Sequence, residues 1–258
     1  MEHDHGGTVR SVSKAMELLE LLLARRTPLS LQEIASSVGY PKSTVHALLS
    51  TLREHAMVEQ RADGKYALGI RLFEYGCAVS SAWDVTLYAR PHLEQLAART
   101  GASAFISLLS GNCVISFDQC TGSAGMLVVP EVGYRLPLHA TSQGKLLLSQ
   151  FSDQDVLKRL RAEDLQTFTP HTVTEPQQLF AALAEIRRNG YAIEDGEYKI
   201  GLRSVSAPVY DRSGAMRYAL GVVGLFRRVR SVEFEAAVES VVRHAAQLSA
   251  SIGFRAGP

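Results

Sequence analysis

This chain has no long apolar run, no cysteine pair at metal spacing and no surplus of either charge. The longest apolar stretches, such as Leu18 to Ala24, are interrupted. They fall far short of the ~20 residues that span a bilayer, so no membrane partner is expected. The three cysteines, Cys77, Cys113 and Cys120, are scattered, with no Cys-x-x-Cys among them. That argues against a zinc site and against a disulfide framework, and three reduced thiols are expected. His3 and His5 flank Asp4 in a stretch read as a disordered tail, residues 1–8, rather than as a metal site. The opening MEHDHGG has no basic stretch ahead of an apolar run. No secretory leader is therefore expected, and the cytoplasm is the expected compartment.

Signatures of catalysis are missing too. There is no Gly-x-Ser-x-Gly elbow, no Gly-x-Gly-x-x-Gly and no His-x-x-x-His. Gln143-Gly144-Lys145 resembles the end of a phosphate loop. However, His139 stands where the earlier glycine is required, and Leu146 replaces the hydroxyl residue that would hold magnesium. Neither an enzyme nor a cofactor is expected. The formal net charge of +1 excludes a globally basic surface. It does not exclude a local basic face, because charge acts over only ~8 Å at physiological salt.

What is present is ample apolar material, 46% of 258 residues, enough for two domains with separate cores. From Ser11 to Arg25, Val12, Ala15, Met16, Leu19, Leu22 and Leu23 recur at helical spacing, until Thr27-Pro28 ends the run. Ser30 followed by Glu33 is a capping box that opens a short helix bearing Leu31, Ile34 and Ala35. Gly39 supplies a positive-φ turn, and Pro41 fits the first position of a third helix reaching about His55. Residues 57–61 and 66–68 read as strands around an Asp63-Gly64 turn.

Helix, helix, turn, helix and hairpin describe a winged helix-turn-helix over residues 9–69. In such a device the second helix of the pair enters the major groove while the first holds its angle. Lys42, Ser43, Thr44 and His46, with Ala47, are the outward residues near the start of that helix. Their position suits base edges and phosphates. Arg53 further along, and Arg61 and Lys65 beside the wing tip, are candidate backbone contacts. The segment as a whole is not basic, since residues 1–69 hold eight Lys/Arg and eight Asp/Glu. A winged helix used for protein contacts is the alternative at this point.

Ile70 to about Tyr88 reads as a linker helix over residues 70–89, with Leu72, Phe73 and Val79 on an exposed apolar face. Arg90-Pro91 is read as opening a further helix that ends at Thr100-Gly101. Beyond it the pattern is of strands: residues 104–109 and 113–119 around Ser110-Gly111-Asn112, 127–130, 191–194, 204–210 and 216–223. Helices are expected over residues 142–150, 153–161, 176–189 and 232–251. The class is α+β, with an antiparallel sheet in residues 90–258. Phe105, Phe117 and Tyr134 are expected in the core, and His139 is expected as a hydrogen-bonded structural residue.

The blocks SVSKAMELLELL, LSLQEIASSVGYPKSTVHALLSTL, YALG, YRLPLHATSQGKLLL and IRRNGYAIEDGEYKIGLRSVSAPVYDRSG, in that order, carry a resemblance. The chain resembles the isocitrate-lyase-regulator (IclR) family of bacterial transcription factors from about Val9 to Phe254. The resemblance implies a GAF-like effector-binding domain after the linker. It also implies a homodimer or dimer of dimers on a palindromic double-stranded operator, and control by a small catabolite such as a carboxylate or an aromatic acid. Repression is the expected sign. An activator, or a GAF-type sensor acting through protein partners, are the alternatives.

Carried across residue by residue, the family's effector pocket falls on several positions. Ser142, Gln143 and Gly144 open a helix whose N–H groups could meet a carboxylate. Leu127 and Leu136 supply apolar wall, Glu194 and Asp195 an acidic turn, and Leu202 and Ser204 the approach to a strand. On the last strand, where some members carry two hydroxyl residues, this chain has Gly221 and Val223. The loss of two donors disfavours a two- or three-carbon polar acid and favours a larger, more apolar ligand.

Overall fold

The computed structural model describes residues 8–81, 85–123, 132–160 and 165–255. It divides into two compact units, residues 1–83 and 84–258. The first unit begins with α1 (Arg10–Arg25), which buries Leu18, Leu19 and Leu22 and ends at Arg26 in the left-handed region. In α2 (Leu31–Val38) both halves of the capping box form. The Ser30 N–H donates to Glu33 Oε2 at 2.7 Å, and the Glu33 N–H to Ser30 Oγ at 3.3 Å. Gly39 closes α2 at φ +73. Pro41 sits at the N-cap of α3 (Lys42–Glu54), one residue ahead of the expected position, with ψ 140 still extended.

Strands β1 (Val58–Gln60) and β2 (Tyr66–Leu68) pair antiparallel around the Asp63-Gly64 turn. A bridge from Leu29 to Tyr66, unmarked by any sequence pattern, ties the start of α2 to the wing. Leu18, Ile34, Val45, Leu49, Val58 and Tyr66 belong to one buried cluster that fixes the angle between α2 and α3.

The expected helix from Ile70 to Tyr88 is observed as α4 (Ile70–Ser81), with residues 82–84 outside the description. Leu72 departs from the expected exposed face: it packs against the winged-helix cluster, whereas Phe73 and Val79 stay exposed. In the second unit α5 (Val85–Thr100) starts well before Arg90, and Pro91 lies inside it. Proline is tolerated there because it occupies an exposed position, and the carbonyl it leaves unpaired belongs to Leu87, itself exposed. The apolar stripe Val85, Ala89, Leu93, Leu96 and Ala97 continues across it on the buried side.

The second unit is built on a six-stranded sheet in the order β5-β4-β3-β8-β7-β6, with every pairing antiparallel. Its strands are β3 (Ser103–Ser110), β4 (Cys113–Cys120), β5 (Arg135–Pro137), β6 (Ala192–Asp195), β7 (Arg203–Tyr210) and β8 (Met216–Gly224). Strand β5 was not anticipated, and the expected strand at residues 127–130 lies outside the described residues. α5 and α9 (Val232–Ser251) pack against one face of this sheet. α6 (Ser142–Leu148) and α8 (Pro176–Asn189) join the cluster on the other, which also takes Val114, Leu136 and Ala219 from the strands. α7 (Asp153–Arg159) adds Val156 to that cluster. With both faces covered, Ser103 to Ser107 are all buried and do not alternate.

Candidate functional site

Two features of the structure could carry function, one in each unit. In the first, α3 buries Val45, Leu49 and Leu52 and leaves Lys42, Ser43, His46 and Ala47 exposed. The helical period forces this split, because residues three and four apart share a face. Thr44 departs from the expected outward position and is half-buried. Lys42 Nζ reaches Gln32 Oε1 on α2 at 3.5 Å.

Arg53, at the other end of α3, is exposed but engaged: its guanidinium donates to Gln60 Oε1 at 2.7 Å. Gln60 in turn donates to the Gly64 carbonyl at 3.1 Å, so Arg53 braces the wing against α3. Arg61 lies 3.6 Å from Glu59 on the wing, and both are exposed. Lys65 is exposed at the hairpin. Sequence reasoning missed two positioning residues, Gln60 and Tyr40. The Tyr40 hydroxyl donates to Glu17 of α1, while Lys14 lies 4.6 Å from its ring centroid. Tyr40 thereby pins the turn ahead of α3 to α1. That hydrogen bond to Glu17 raises the Tyr40 phenol above its ordinary range.

In the second unit, a narrow cleft opens between the sheet and the turn after β6. Of the residues carried across for an effector pocket, Leu136, Gln143, Glu194, Leu202, Ser204 and Val223 line it. Leu127 lies outside the described residues. Asp195 does not join the cleft: it is exposed and pairs with Arg203 at 2.7 Å. The reason is strand alternation, which turns Glu194 inward and its neighbour outward.

Ser142 and Gly144 are buried but spent on structure. The Ser142 hydroxyl meets Ser206 Oγ at 2.7 Å, and the Gly144 N–H donates to Thr141 Oγ1 at 3.1 Å. The expected open N–H groups at the start of α6 are thus partly satisfied by Thr141. Gly221 is walled off, since a side chain there would strike the Val205 carbonyl and the Phe105 ring.

Glu194 is the polar centre of the cleft, 3% exposed. Its Oε1 accepts the N–H groups of Glu197 at 2.7 Å and Tyr198 at 3.2 Å, and its Oε2 accepts the Ser204 hydroxyl at 2.9 Å. Burial pushes its carboxyl up from the usual range, and those three donors oppose the shift. Phe105, Thr141, Tyr198 and Lys199 also line the cleft and were not anticipated there. Phe105 was expected in the core; it is 1% exposed and serves as both core and wall.

A second pair was missed altogether. Lys145 and Glu197, both buried, form an ion pair behind the cleft. A lysine inside the run Gly144-Lys145-Leu146-Leu147-Leu148 was the available signal, because a buried ammonium demands a carboxylate. His139 is fully buried, and its Nε2 lies 2.9 Å from the Gln166 carbonyl.

Among the described residues, no cluster of His, Cys, Asp and Glu could hold a metal ion, and no helix is long and apolar enough to cross a membrane.

Comparison with known proteins bears on both features. Residues 11–62 match the model of the IclR helix-turn-helix domain, and residues 77–250 match that of the bacterial transcriptional regulator IclR C-terminal domain. The chain is 32% identical over 249 residues to the HTH-type transcriptional regulator XynR of Escherichia coli, covering 96% of this chain and 99% of that protein. It is 30% identical over 238 residues to the transcriptional repressor IclR of the same organism, covering 90% and 87%. Among solved structures, an IclR homologue from Microbacterium hydrocarbonoxydans complexed with 4-hydroxybenzoate is 26% identical, with a TM-score of 0.80 over 94% of this chain and 98% of that one. A regulator from Alicyclobacillus acidocaldarius is 27% identical, with a TM-score of 0.81 over 95% and 100%.

Proposed function

From the premise that this chain belongs to the IclR family of bacterial transcriptional regulators, we propose that it is a repressor which grips its operator through the exposed face of α3 and releases it in response to a small molecule held by the second unit. The observation that carries the reading is the exposure of Lys42, Ser43 and His46 on a helix whose opposite side is the centre of a hydrophobic cluster. The match of residues 11–62 to the IclR helix-turn-helix domain supports reading that polar edge as the one that meets DNA. Lys42, Ser43 and His46, with the part of Thr44 that stays exposed, meet base edges and phosphates. Arg53, Arg61 and Lys65 meet the sugar-phosphate backbone beside the wing.

The acting form is a dimer on a palindrome. Val9 at the N-cap of α1 and Val12, Met16 and Leu23 along it are exposed at spacings of three, four and seven residues, and Ile70, Phe73 and Val79 are exposed on α4. Large apolar side chains aligned in this way are what a second copy covers. Paired copies present two α3 helices to half-sites about one helical turn, ~34 Å, apart. The residues divide into a DNA-binding module (9–69), a linker helix (70–89) and an effector module (90–258), acting in the cytoplasm as a binding switch with no catalytic step.

The cleft around Glu194 is the effector site. Its Phe105, Leu136, Leu202 and Val223 walls suit an aromatic ring, and Glu194 with Ser204 suits a hydroxyl. The relative bound to 4-hydroxybenzoate supports that ligand class. An effector shifts operator affinity only by as much as it prefers one dimer arrangement over another, a coupling of about 1–3 kcal/mol.

The test is fluorescence anisotropy of the full chain on DNA from upstream of its own gene, titrated with salt. Sequence-selective binding that weakens steeply with salt is expected. Equal affinity for scrambled DNA would remove the regulator reading in favour of a sensor working through protein partners.

A further inference from the structure

The cleft around Glu194 is too small for an organic effector. Its interior is about 30 Å³, room for one or two waters. A dry cavity that accepts benzene is about 150 Å³. An effector therefore enters this cleft only if one of its walls moves.

The walls differ in how they are held. Phe105, Leu136 and Ser204 are buried on three strands of the sheet, and Thr141 and Gln143 are buried around the start of α6. Tyr198 and Lys199 belong instead to the turn between β6 and β7. Burial changes abruptly along that turn. Gly196 and Glu197 are buried, Tyr198 is half-buried, and Lys199, Ile200 and Gly201 are exposed.

The buried half is stapled down. The Thr169 hydroxyl donates to the Gly196 carbonyl at 2.7 Å, and the Thr172 hydroxyl to the Glu197 carbonyl at 2.7 Å. The Glu197 N–H donates to Glu194 Oε1 at 2.7 Å, and the Glu197 carboxylate pairs with Lys145. The exposed half is held more lightly. The Tyr198 N–H reaches the same Glu194 oxygen at 3.2 Å, and the Leu202 N–H reaches the Lys199 carbonyl at 3.1 Å. The Tyr198 ring meets Phe168 edge to face, with centroids 5.0 Å apart. Phe168 is exposed, does not line the inner cleft, and is placed by its own N–H, which donates to Thr172 Oγ1 at 3.0 Å. Gly201 ends the segment at φ +83, with no atom within 4 Å of where a Cβ would lie, so the backbone has space to turn there.

We propose that residues 198–201 are a flap over the effector cleft, hinged at Glu197 and Gly201 and latched by the ring of Tyr198 on Phe168. The inference rests on the inner cleft being the effector site and adds how that site is entered. Opening parts Tyr198 from Phe168 and releases the Tyr198 N–H from Glu194. A lone pair of that carboxylate is then free for a donor on the ligand. The closed form has no room for an effector, so the apparent affinity is reduced by the fraction of molecules that are open. Weakening the latch therefore tightens binding, the opposite of what removing a wall of the site would do.

The experiment uses Phe168→Ala in the full chain, with two readouts. The first is amide hydrogen exchange without ligand. Exchange at the Tyr198 and Leu202 amides is expected to quicken by about threefold to tenfold, the share of an edge-to-face ring pair, while the Glu197 amide keeps its protection. The second is titration with 4-hydroxybenzoate, which the variant should bind about threefold to tenfold more tightly and with faster association. Phe168→Leu, which keeps bulk at that position, should give intermediate values in both.

Unchanged exchange at Tyr198, or an equal rise at Glu197, overturns the flap whatever binds. Faster exchange at Tyr198 with unchanged or weaker binding overturns the flap as the way in. Faster exchange with no binding of 4-hydroxybenzoate by parent or variants overturns the effector reading of the cleft, and the role of the flap as its gate falls with it.

Discussion

The ring of Phe105 stands where a side chain on Gly221 would be: a Cβ added to Gly221 would lie 2.6 Å from Phe105 Cζ. The two residues face each other across neighbouring strands β3 and β8. In this chain the phenyl ring fills space that a residue on β8 could otherwise use, and the wall of the cleft at that point is apolar.

Gly221→Ser is therefore expected to destabilise the second unit by about 1–3 kcal/mol, the usual cost of overpacking a filled core. Phe105→Leu in the same chain should recover part of that loss and not all of it. The added Cβ would still lie 2.4 Å from the Val205 carbonyl, which is backbone and cannot step aside cheaply. Urea denaturation of the two variants measures both quantities; full recovery would mean that the ring alone makes the clash.

Lys145 and Glu197 form an ion pair out of solvent, and Glu197 Oε2 has no hydrogen-bond partner among the described residues. Lys145→Met leaves a buried carboxylate with its cation gone, which costs about 3–5 kcal/mol. Replacing both, as Lys145→Met with Glu197→Gln, should cost less than the single change. The comparison is a denaturation midpoint at neutral pH, and a double variant weaker than Lys145→Met would overturn the account.

The Nδ1 atoms of His92 on α5 and His244 on α9 lie 2.9 Å apart. One ring must donate to the other, so the pair cannot hold a proton on both facing nitrogens. Burial first, then the charges of His92, Arg243 and Arg99, hold His244 down to about 4 against an ordinary 6.5. The unfolded chain therefore binds a proton that the folded chain refuses between those values. Stability from this group is fully present above pH 6.5 and is lost as pH falls toward 4. Urea denaturation from pH 7.5 to pH 4.5 should show the loss, and His244→Asn should flatten it. A slope unchanged by that substitution would assign the acid sensitivity to other groups.

On the proposed reading of the exposed edge of α3, Lys42→Ala should lower operator affinity and reduce the slope of log affinity against log salt by about 0.9, one phosphate contact. Binding of 4-hydroxybenzoate by the second unit should not change. Glu194→Gln should do the reverse: ligand binding falls and operator binding in the absence of ligand is retained. Anisotropy and calorimetry on the same preparations separate the two. Equal loss of both activities in each variant would mean that the modules are not separable.

Much of the first unit was legible in the chain. The capping box at Ser30 and Glu33, the turn at Gly39 and the Asp63-Gly64 hairpin are local devices, complete within a few residues. Apolar spacing along α3 points to Val45, Leu48, Leu49 and Leu52 as its inner face; Val45, Leu49 and Leu52 are buried, and Leu48 packs against the same cluster half-buried. The Leu29–Tyr66 bridge was invisible, since it joins residues far apart in sequence by backbone atoms that carry no side-chain signature. The placement of Pro91 inside α5 ran against a strong local rule, because an apolar stripe spanning the whole helix outweighed one missing hydrogen bond.

Local signals in the chain set most of the order of elements, β5 excepted, and the polar edge of α3, because caps, turns and helical periods act between near neighbours in the chain. Packing between distant segments settles that Glu194 faces the cleft while Asp195 turns to Arg203, that Lys145 finds Glu197, and that Phe105 takes the space beside Gly221. Those relations depend on sheet register and on which face each strand presents, and pairing between distant strands sets both. A single residue of slip in β6 or β8 would reverse the facing of Glu194, Asp195 and Gly221.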